Sequence, residues 1–378
     1  MKLEITPEQV ARYREQGFLV LEGALDADEL ERWRLTVGEA VEQRVELQNG
    51  LNNRFDGADP FYAKVFTQAL RLADTHAGVR DLVLDERLGE LAGTLVGADA
   101  MRMWHDQALV KEPYANQTAW HRDTPYWSFH SPDAVNFWIA LDDATLANGC
   151  LWYLPGTQRV GDYRLVKIGS NMGDLFDEYP EMAKLDAVPA PCPAGSIVIH
   201  NAMVAHAAGP NMTPRRRRAM TTAYFPDGCV YNGRPDTLPL AYSSRLKAGD
   251  PLDDDRYLPL VWSRDGRRGT HMMRPVTVPL DEGEASLTVS GVEALLRAKR
   301  APMRRVRLDF GSAGALTWDP AGVRPGADAP ADATLRIDLL TLERIREGAV
   351  DPRVAWMAGK LRLEGDEAAI KELRAVYG

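Results

Sequence analysis

Residues 195–225 read GSIVIHNAMVAHAAGPNMTPRRRRAMTTAYF. Ile197 to His200 is a short, β-branched apolar run behind a Gly-Ser turn, and it reads as a strand. His206 follows in a small-residue turn. Gly209-Pro210-Asn211 then breaks the chain. A second strand runs from the arginines 215–218 to Tyr224-Phe225. Two short strands joined by turn residues suggest a β domain, with a histidine between them and a row of arginines opening the second.

The same texture begins near Met101. MWHDQALVKE (103–112), AVNFWIALDD (134–143) and CLWYLP (150–155) read as further strands. Several strands at close spacing suggest a sandwich or barrel. Residues 161–190 read as an irregular or helical insert and 226–285 as loop. Upstream, Thr6-Pro7-Glu8-Gln9 opens a capped helix. GFLVL (17–21) reads as a strand, 26–45 as a helix, 47–60 as a turn-rich loop and 61–98 as helical. Residues 286–378 form an α+β zone. Its helices are expected near 287–300, 341–348 and 366–378, its strands near 305–310, 314–319, 333–340 and 360–365, with a long turn over 319–333. The expected division is 1–285 and 286–378.

Bulk composition narrows the function. A chain of 378 residues with 45% hydrophobic content can bury two cores. No run approaches the 18 or more apolar residues of a membrane helix, and the charged start lacks a signal-peptide core. A cytoplasmic protein with no membrane span is expected. Cys150, Cys192 and Cys229 are odd in number and widely spaced, which excludes a disulfide framework. A net charge of −9 argues against nucleic acid as a partner. The expected partner is a small, partly apolar molecule, and a homodimer is left open.

AWHRDTPYW (119–127) holds the one His-x-Asp/Glu triplet of the chain. In extended backbone, residues i and i+2 point to one side, so His121 and Asp123 can aim at one point. Alone, the pair is as consistent with a surface strand as with a metal site. With His206 it makes two imidazoles and one carboxylate. That set leaves open positions on a metal and suits non-haem Fe(II) that activates O₂. A 2-oxo acid cosubstrate needs a cation for its far carboxylate, and arginine's planar fork serves best. Arg215 to Arg218 supply candidates.

Residues 15–228 resemble the phytanoyl-CoA dioxygenase family of Fe(II)/2-oxoglutarate oxygenases. The matching pieces are GFLVL, QALVKEP (107–113), WHRD (120–123), NFWIALDDATLANGCLWYLPGTQR (136–159) and GSIVIHNAMVAHAAGPNMTPRRRRA (195–219). The resemblance implies a mainly β fold with flanking helices, built on a double-stranded β-helix (jelly-roll, cupin-like) core. It implies His121, Asp123 and His206 as iron ligands and Arg217 as the 2-oxoglutarate arginine, with Arg215 on the same strand face as fallback. Trp138 matches a pocket position, and Gln107 and Asn116 are further candidates. Fe(II), 2-oxoglutarate and O₂ are the implied cofactors. Relatives that halogenate lack the carboxylate, so Asp123 implies hydroxylation. Desaturation, ring formation or epoxidation on the same iron is the alternative, and a lipid carrier with an idle jelly roll is the alternative of another class. Arg122 stands where many relatives have Gln, so it either reaches a ligand or points to solvent.

A charged run is more often a solvated face than a site, and Arg216 and Arg218 are read so. His200 reads as a packed core histidine. His105 is balanced between packing and pocket, and His130 between the substrate mouth and solvent. Trp120, Tyr126, Trp127 and Phe129 are read either as packing or as an apolar pocket wall. Residues 288–378 resemble a sterol carrier protein 2-like domain, through TLRIDLLTLERIREG, Asp351-Pro352 and AWMAGKLRLEGD. That implies either an apolar-ligand tunnel or a structural cap. The basic stretch 297–307 reads as a charged helix face.

Overall fold

The computed structural model describes residues 1–46, 61, 64–267, 269, 285–326, 330–346, 352–357, 360–366 and 368–370. The expected loop 47–60 and most of the expected helix 366–378 lie outside them, as does most of 268–284. The chain forms two compact units. One holds Met1–Arg44, Leu51–Leu238 and Leu246–Pro275, and the other holds Val45–Gly50, Pro239–Arg245 and Val276–Gly378.

The first unit is built on two sheets. Its strands are β1 (Phe18–Leu21), β2 (Thr67–Leu70), β3 (Ala100–Lys111), β4 (Thr118–His121), β5 (Val135–Ala140), β6 (Leu151–Tyr153), β7 (Val188–Ala190), β8 (Ile197–Asn201), β9 (His206–Ala208), β10 (Arg217–Pro226) and β11 (Leu260–Ser263). The larger sheet runs β1-β8-β5-β10-β3-β11, with β2 also on β3; the smaller runs β4-β9-β6-β7. All these pairings are antiparallel. This is the jelly-roll core expected from the sequence.

Strand alternation explains the apolar run VNFWIA in β5. Val135, Phe137 and Ile139 turn outward. They join Leu19, Met103, Ile199 and Met220 under a helical layer formed by α1 (Pro7–Gln16), α2 (Ala27–Glu46), α3 (Ala77–Val83) and α4 (Glu86–Val96). Trp138 and Ala140 turn inward and pack with Tyr153, Leu151 and Ala208 of the smaller sheet. A sheet covered on both faces shows no polar alternation. Thr6 caps α1 in a full capping box with Gln9, as its sequence anticipates.

Several strands depart from expectation, among them β7, which closes the stretch 161–190 read as an irregular or helical insert. TQAL (β2) lies in the stretch read as helical and LVWS (β11) in the stretch read as loop. Each is four residues long and pairs with one end of the twelve-residue β3. Their conformation is decided by an available sheet edge rather than by local pattern. His206 lies in strand β9 rather than in a turn.

The second unit carries β12 (Val306–Asp309), β13 (Ala315–Asp319), β14 (Gly322–Pro325), β15 (Ala333–Ile337) and β16 (Leu361–Gly365) in the order β14-β13-β12-β15-β16. β12 and β15 run parallel, and the other neighbours are antiparallel. Val306, Leu308, Leu316, Trp318 and Leu335 pack against Val292, Leu296, Leu342 and Ile345 of two helices. β14 falls in the expected long turn. Asp319 pairs with Gly322 across a two-residue hairpin, and Gly322 takes a φ of 113° that favours glycine.

Two helical glycines of the first unit predict opposite outcomes. A Cβ on Gly93 in α4 would lie 2.4 Å from Trp262. Gly93→Ala should therefore lower the melting temperature, because overpacking costs ~1–3 kcal/mol. A Cβ on Gly38 in α2 meets nothing within 4 Å. Gly38→Ala should raise the melting temperature through up to about 1 kcal/mol of helix propensity. Thermal denaturation of both variants checks the pair.

Candidate metal centre

His121 and His206 sit directly opposite each other where β4 pairs with β9, and their ring centroids are 4.1 Å apart. Asp123 follows β4 in a turn held by hydrogen bonds from the backbone N–H groups of Asp123 and Thr124 to the Ala202 carbonyl (2.9 and 3.1 Å). Ligand atoms of His121, Asp123 and His206 all lie within 4.8 Å of one another. Asp123 Oδ1 is 3.6 Å from His121 Nε2 and 3.7 Å from His206 Nε2.

The donor chemistry fits a metal. Nδ1 of His121 lies 2.8 Å from the Ala119 carbonyl, and Nδ1 of His206 lies 3.0 Å from the Val204 carbonyl. A carbonyl only accepts, so each Nδ1 carries the proton and each Nε2 presents a lone pair to the centre. Burial pulls both imidazoles down to about 4, with His206 adding to the effect on His121 and His200 to that on His206. Both are therefore neutral at pH 7. Burial raises the Asp123 carboxyl, but His206, His200 and His121 outweigh it and hold the group well below the usual carboxylate range.

A cavity of about 120 Å³ opens from this centre between the sheets. The inward rows of the larger sheet line it. Asn136 and His105 lie at the end of the register by the His121–Asp123–His206 cluster, Trp138, Thr221 and Gln107 one step on, and Arg217 at the far end. Arg217 is 2% exposed and stacks on Trp138 at 4.9 Å. Its Nε and Nη1 have no hydrogen-bond partner among the described residues. Burial lowers it to about 10, so it remains a cation. Lys111 is directly opposite it, and burial and then Arg217 pull that amine down to about 6. Lys111 Nζ donates to the carbonyls of Val65 (3.3 Å) and Asn116 (2.5 Å). The guanidinium is thus a buried cation facing a cavity, with no ion pair among the described residues. Thr118, also in the lining, has a hydroxyl without a partner among the described residues.

Several expectations change here. Asn116 does not line the cavity; its side chain donates to the Phe61 carbonyl (3.1 Å), and Thr118 takes the place at the pocket. Arg215 does not share Arg217's strand face. β10 starts at Arg217, and Arg215 and Arg216 are exposed. Arg218 pairs with Asp142 (2.7 Å). His200 is not only packing: it lines the cavity and contacts Asp123 (3.3 Å). Trp127 and Tyr126 line the cavity, while Trp120 faces Phe176 and Phe129 stacks on Phe225 behind the wall. His105 lines the cavity edge-on to Trp127; His130 is exposed and stacks on Tyr163.

Arg122 neither reaches the cavity nor points to solvent. It is 2% exposed and donates to the Val160 carbonyl (3.1 Å), Asp162 (3.0 Å) and the Tyr179 hydroxyl, with its plane over the Tyr179 ring. Tyr126 donates to the Val166 carbonyl and accepts from the Ile168 N–H (2.9 Å). The two residues strap the insert 160–182 across the site and place Ile168 in the cavity wall. The sequence shows Arg122 and Tyr126 but not their partners, which lie 38 to 57 residues downstream.

The profile of phytanoyl-CoA dioxygenase (PhyH) matches residues 13–219, more than half of the chain. The chain belongs to the phytanoyl-CoA dioxygenase family. Residues 304–377 match the SCP-2 sterol transfer family. Dioxygenase lolE1 of Epichloe uncinata is 30% identical over 181 residues, 48% of this chain and 66% of that protein. Phytanoyl-CoA dioxygenase of Arabidopsis thaliana is 25% identical over 260 residues, 60% of this chain and 91% of that protein. Among solved structures, the non-heme alpha ketoglutarate dependent carbocyclase SnoK from nogalamycin biosynthesis is 26% identical with a TM-score of 0.58. That match covers 69% of this chain and 98% of SnoK. This phytanoyl-CoA dioxygenase family member is an Fe(II)/2-oxoglutarate-dependent dioxygenase. Among the described residues no helix is long and apolar enough to cross a membrane.

Two outcomes are expected. Arg217→Ala should weaken 2-oxoglutarate binding roughly 100-fold, since truncating one side of a buried charge pair costs ~3 kcal/mol. Arg216→Ala should leave it within about twofold, as surface charges contribute little. Anaerobic titration of the iron-loaded protein reads both, and equal losses would refute the assignment. Arg122→Ala should raise hydrogen exchange across 160–182. Unchanged protection there would mean the insert is held by other contacts.

Proposed function

We propose that the chain hydroxylates an unactivated C–H bond of a small, partly apolar molecule, with His121, Asp123 and His206 holding the iron. The observation that carries the reading is the buried Arg217, without an ion pair among the described residues, at the far end of a cavity that begins at a two-histidine, one-carboxylate cluster. Such a cation needs a carboxylate of a ligand that also reaches the cluster. 2-Oxoglutarate has a carboxylate at each end.

In this mechanism Arg217 pairs with the distal carboxylate, Trp138 supports the guanidinium from behind, and Thr118 supplies a hydroxyl within the same pocket. Iron bound with 2-oxoglutarate and O₂ supplies the oxidising power to take a hydrogen atom from an unactivated C–H bond, with succinate and CO₂ as coproducts. The protein's own work is placement and exclusion of water. Tyr126, Trp127, Phe66 and Ile168 line the cavity as an apolar wall, against which one face of the substrate lies. His105, Gln68 and Gln107 line the same cavity and offer polar contacts.

The substrate class is lipid-like, an acyl thioester or a secondary metabolite. The SCP-2 match supports a lipid-like ligand for the second unit, and we place the division between the two parts near residue 285. The likeness to a carbocyclase supports a second reading, ring closure after the same hydrogen abstraction. The outcome depends on where the substrate radical is held. Free, buried Cys150 and Cys192 suit a reducing, cytoplasmic setting.

Anaerobic protein with Fe(II) and 2-oxoglutarate should develop a weak visible charge-transfer band that is absent from His206→Ala. No band in fully loaded wild type would sink the reading.

A further inference from the structure

We propose that His200 and Asn136 are positioning residues that reserve a single oxygen of Asp123, Oδ1, for the metal. The inference rests on the reading of His121, Asp123 and His206 as metal ligands.

The two oxygens of Asp123 have different surroundings. Oδ2 accepts from Asn136 Nδ2 at 3.1 Å and lies 3.3 Å from His200 Nε2. Oδ1 has no donor within hydrogen-bond distance among the described residues, and the Nε2 atoms 3.6 and 3.7 Å from it are those of His121 and His206. Both of those nitrogens carry lone pairs, because their Nδ1–H groups are committed to carbonyls. Three lone-pair atoms with no proton between them therefore converge, as a cation requires. Oδ2 is outside that convergence and already serves two donors.

The tautomer of His200 follows from its other contact. The Tyr153 hydroxyl lies 3.0 Å from His200 Nδ1. If Nδ1 carried the proton, Nε2 would turn a lone pair toward a carboxylate oxygen. For the neutral ring, the arrangement holds together only when Tyr153 donates to Nδ1 and Nε2–H donates to Asp123. His200 then has no lone pair left and cannot itself bind the metal. Tyr153 is held in turn by stacking on Phe18, with ring centroids 4.3 Å apart and planes 12° apart.

Strand register builds this device. Asn136 lies on the inward face of β5, two residues before Trp138, and His200 is its direct partner across the β5–β8 pairing. The two donors thus reach the carboxylate from adjacent strands. A carboxylate free to swing can bind through both oxygens and take up a position that the cosubstrate or O₂ needs. With Oδ2 engaged, Asp123 stays a one-oxygen ligand and the open side of the centre is preserved.

The test uses the full chain, anaerobically and without cosubstrate. Fe(II) affinity is measured by chelator competition, and Co(II) absorption reports the coordination number. Thermal melting confirms that each variant is folded. His200→Ala and Asn136→Ala should each weaken Fe(II) binding roughly 10–100-fold and shift the Co(II) spectrum toward higher coordination. His200→Gln, which keeps an N–H donor, should recover most of the affinity. Tyr153→Phe should give a smaller loss than His200→Ala. Variants that bind Fe(II) as tightly as wild type with an unchanged Co(II) spectrum overturn the inference alone. So does a His200→Ala loss that Gln does not rescue, because packing would then explain it. Wild type that binds neither ion overturns the metal-centre reading and this inference with it.

Discussion

A buried guanidinium with no ion pair among the described residues is the constraint on which the first unit turns. Arg217 cannot reach water, and Lys111 opposite it adds no negative charge. Leaving such a group unmatched costs several kcal/mol. The fold tolerates it because the cation lies on the Trp138 face within a sheet packed on both sides. The opposite end of the cavity carries the complementary problem, a buried carboxylate answered by His200 and Asn136. A ligand with a carboxylate at one end and metal-binding oxygens at the other relieves the Arg217 end and completes the other. The two sheets exist, chemically, to hold these two ends a fixed distance apart.

The candidate metal cluster was legible because it is written locally. His121 and Asp123 are two residues apart, and His206 lies in a strand whose flanks resemble a known pattern. Arg217 was legible through its place in that pattern, and burial then separated it from its three neighbours. Asn136 and His200 were not legible as a pair. Each reads as a polar residue in an apolar run, and only the pairing of β5 with β8 makes them neighbours. Asn116 misled for a similar reason, since the loop before β4 turns its side chain toward the Phe61 carbonyl.

The fold shows the same division. Long or strongly apolar strands such as β3, β5 and β8 could be read from their own residues. TQAL, LVWS and GVRP could not, because each is a short edge segment whose conformation comes from its partner. Local pattern identifies the elements that make a sheet, while edges are recruited by the sheet once it exists.

The strap over the site has a consequence for anyone wishing to change what this enzyme accepts. Arg122 and Tyr126 hold the insert, yet they flank the candidate ligand Asp123 within a few residues of chain. A change at either one falls within three residues of the candidate ligand Asp123. Ile168 and Phe66 touch the same cavity from segments that carry no ligand. The molecule thus separates its adjustable positions from its fixed ones, and diversification of substrate range has room to proceed on the former while the nine-residue motif stays as it is.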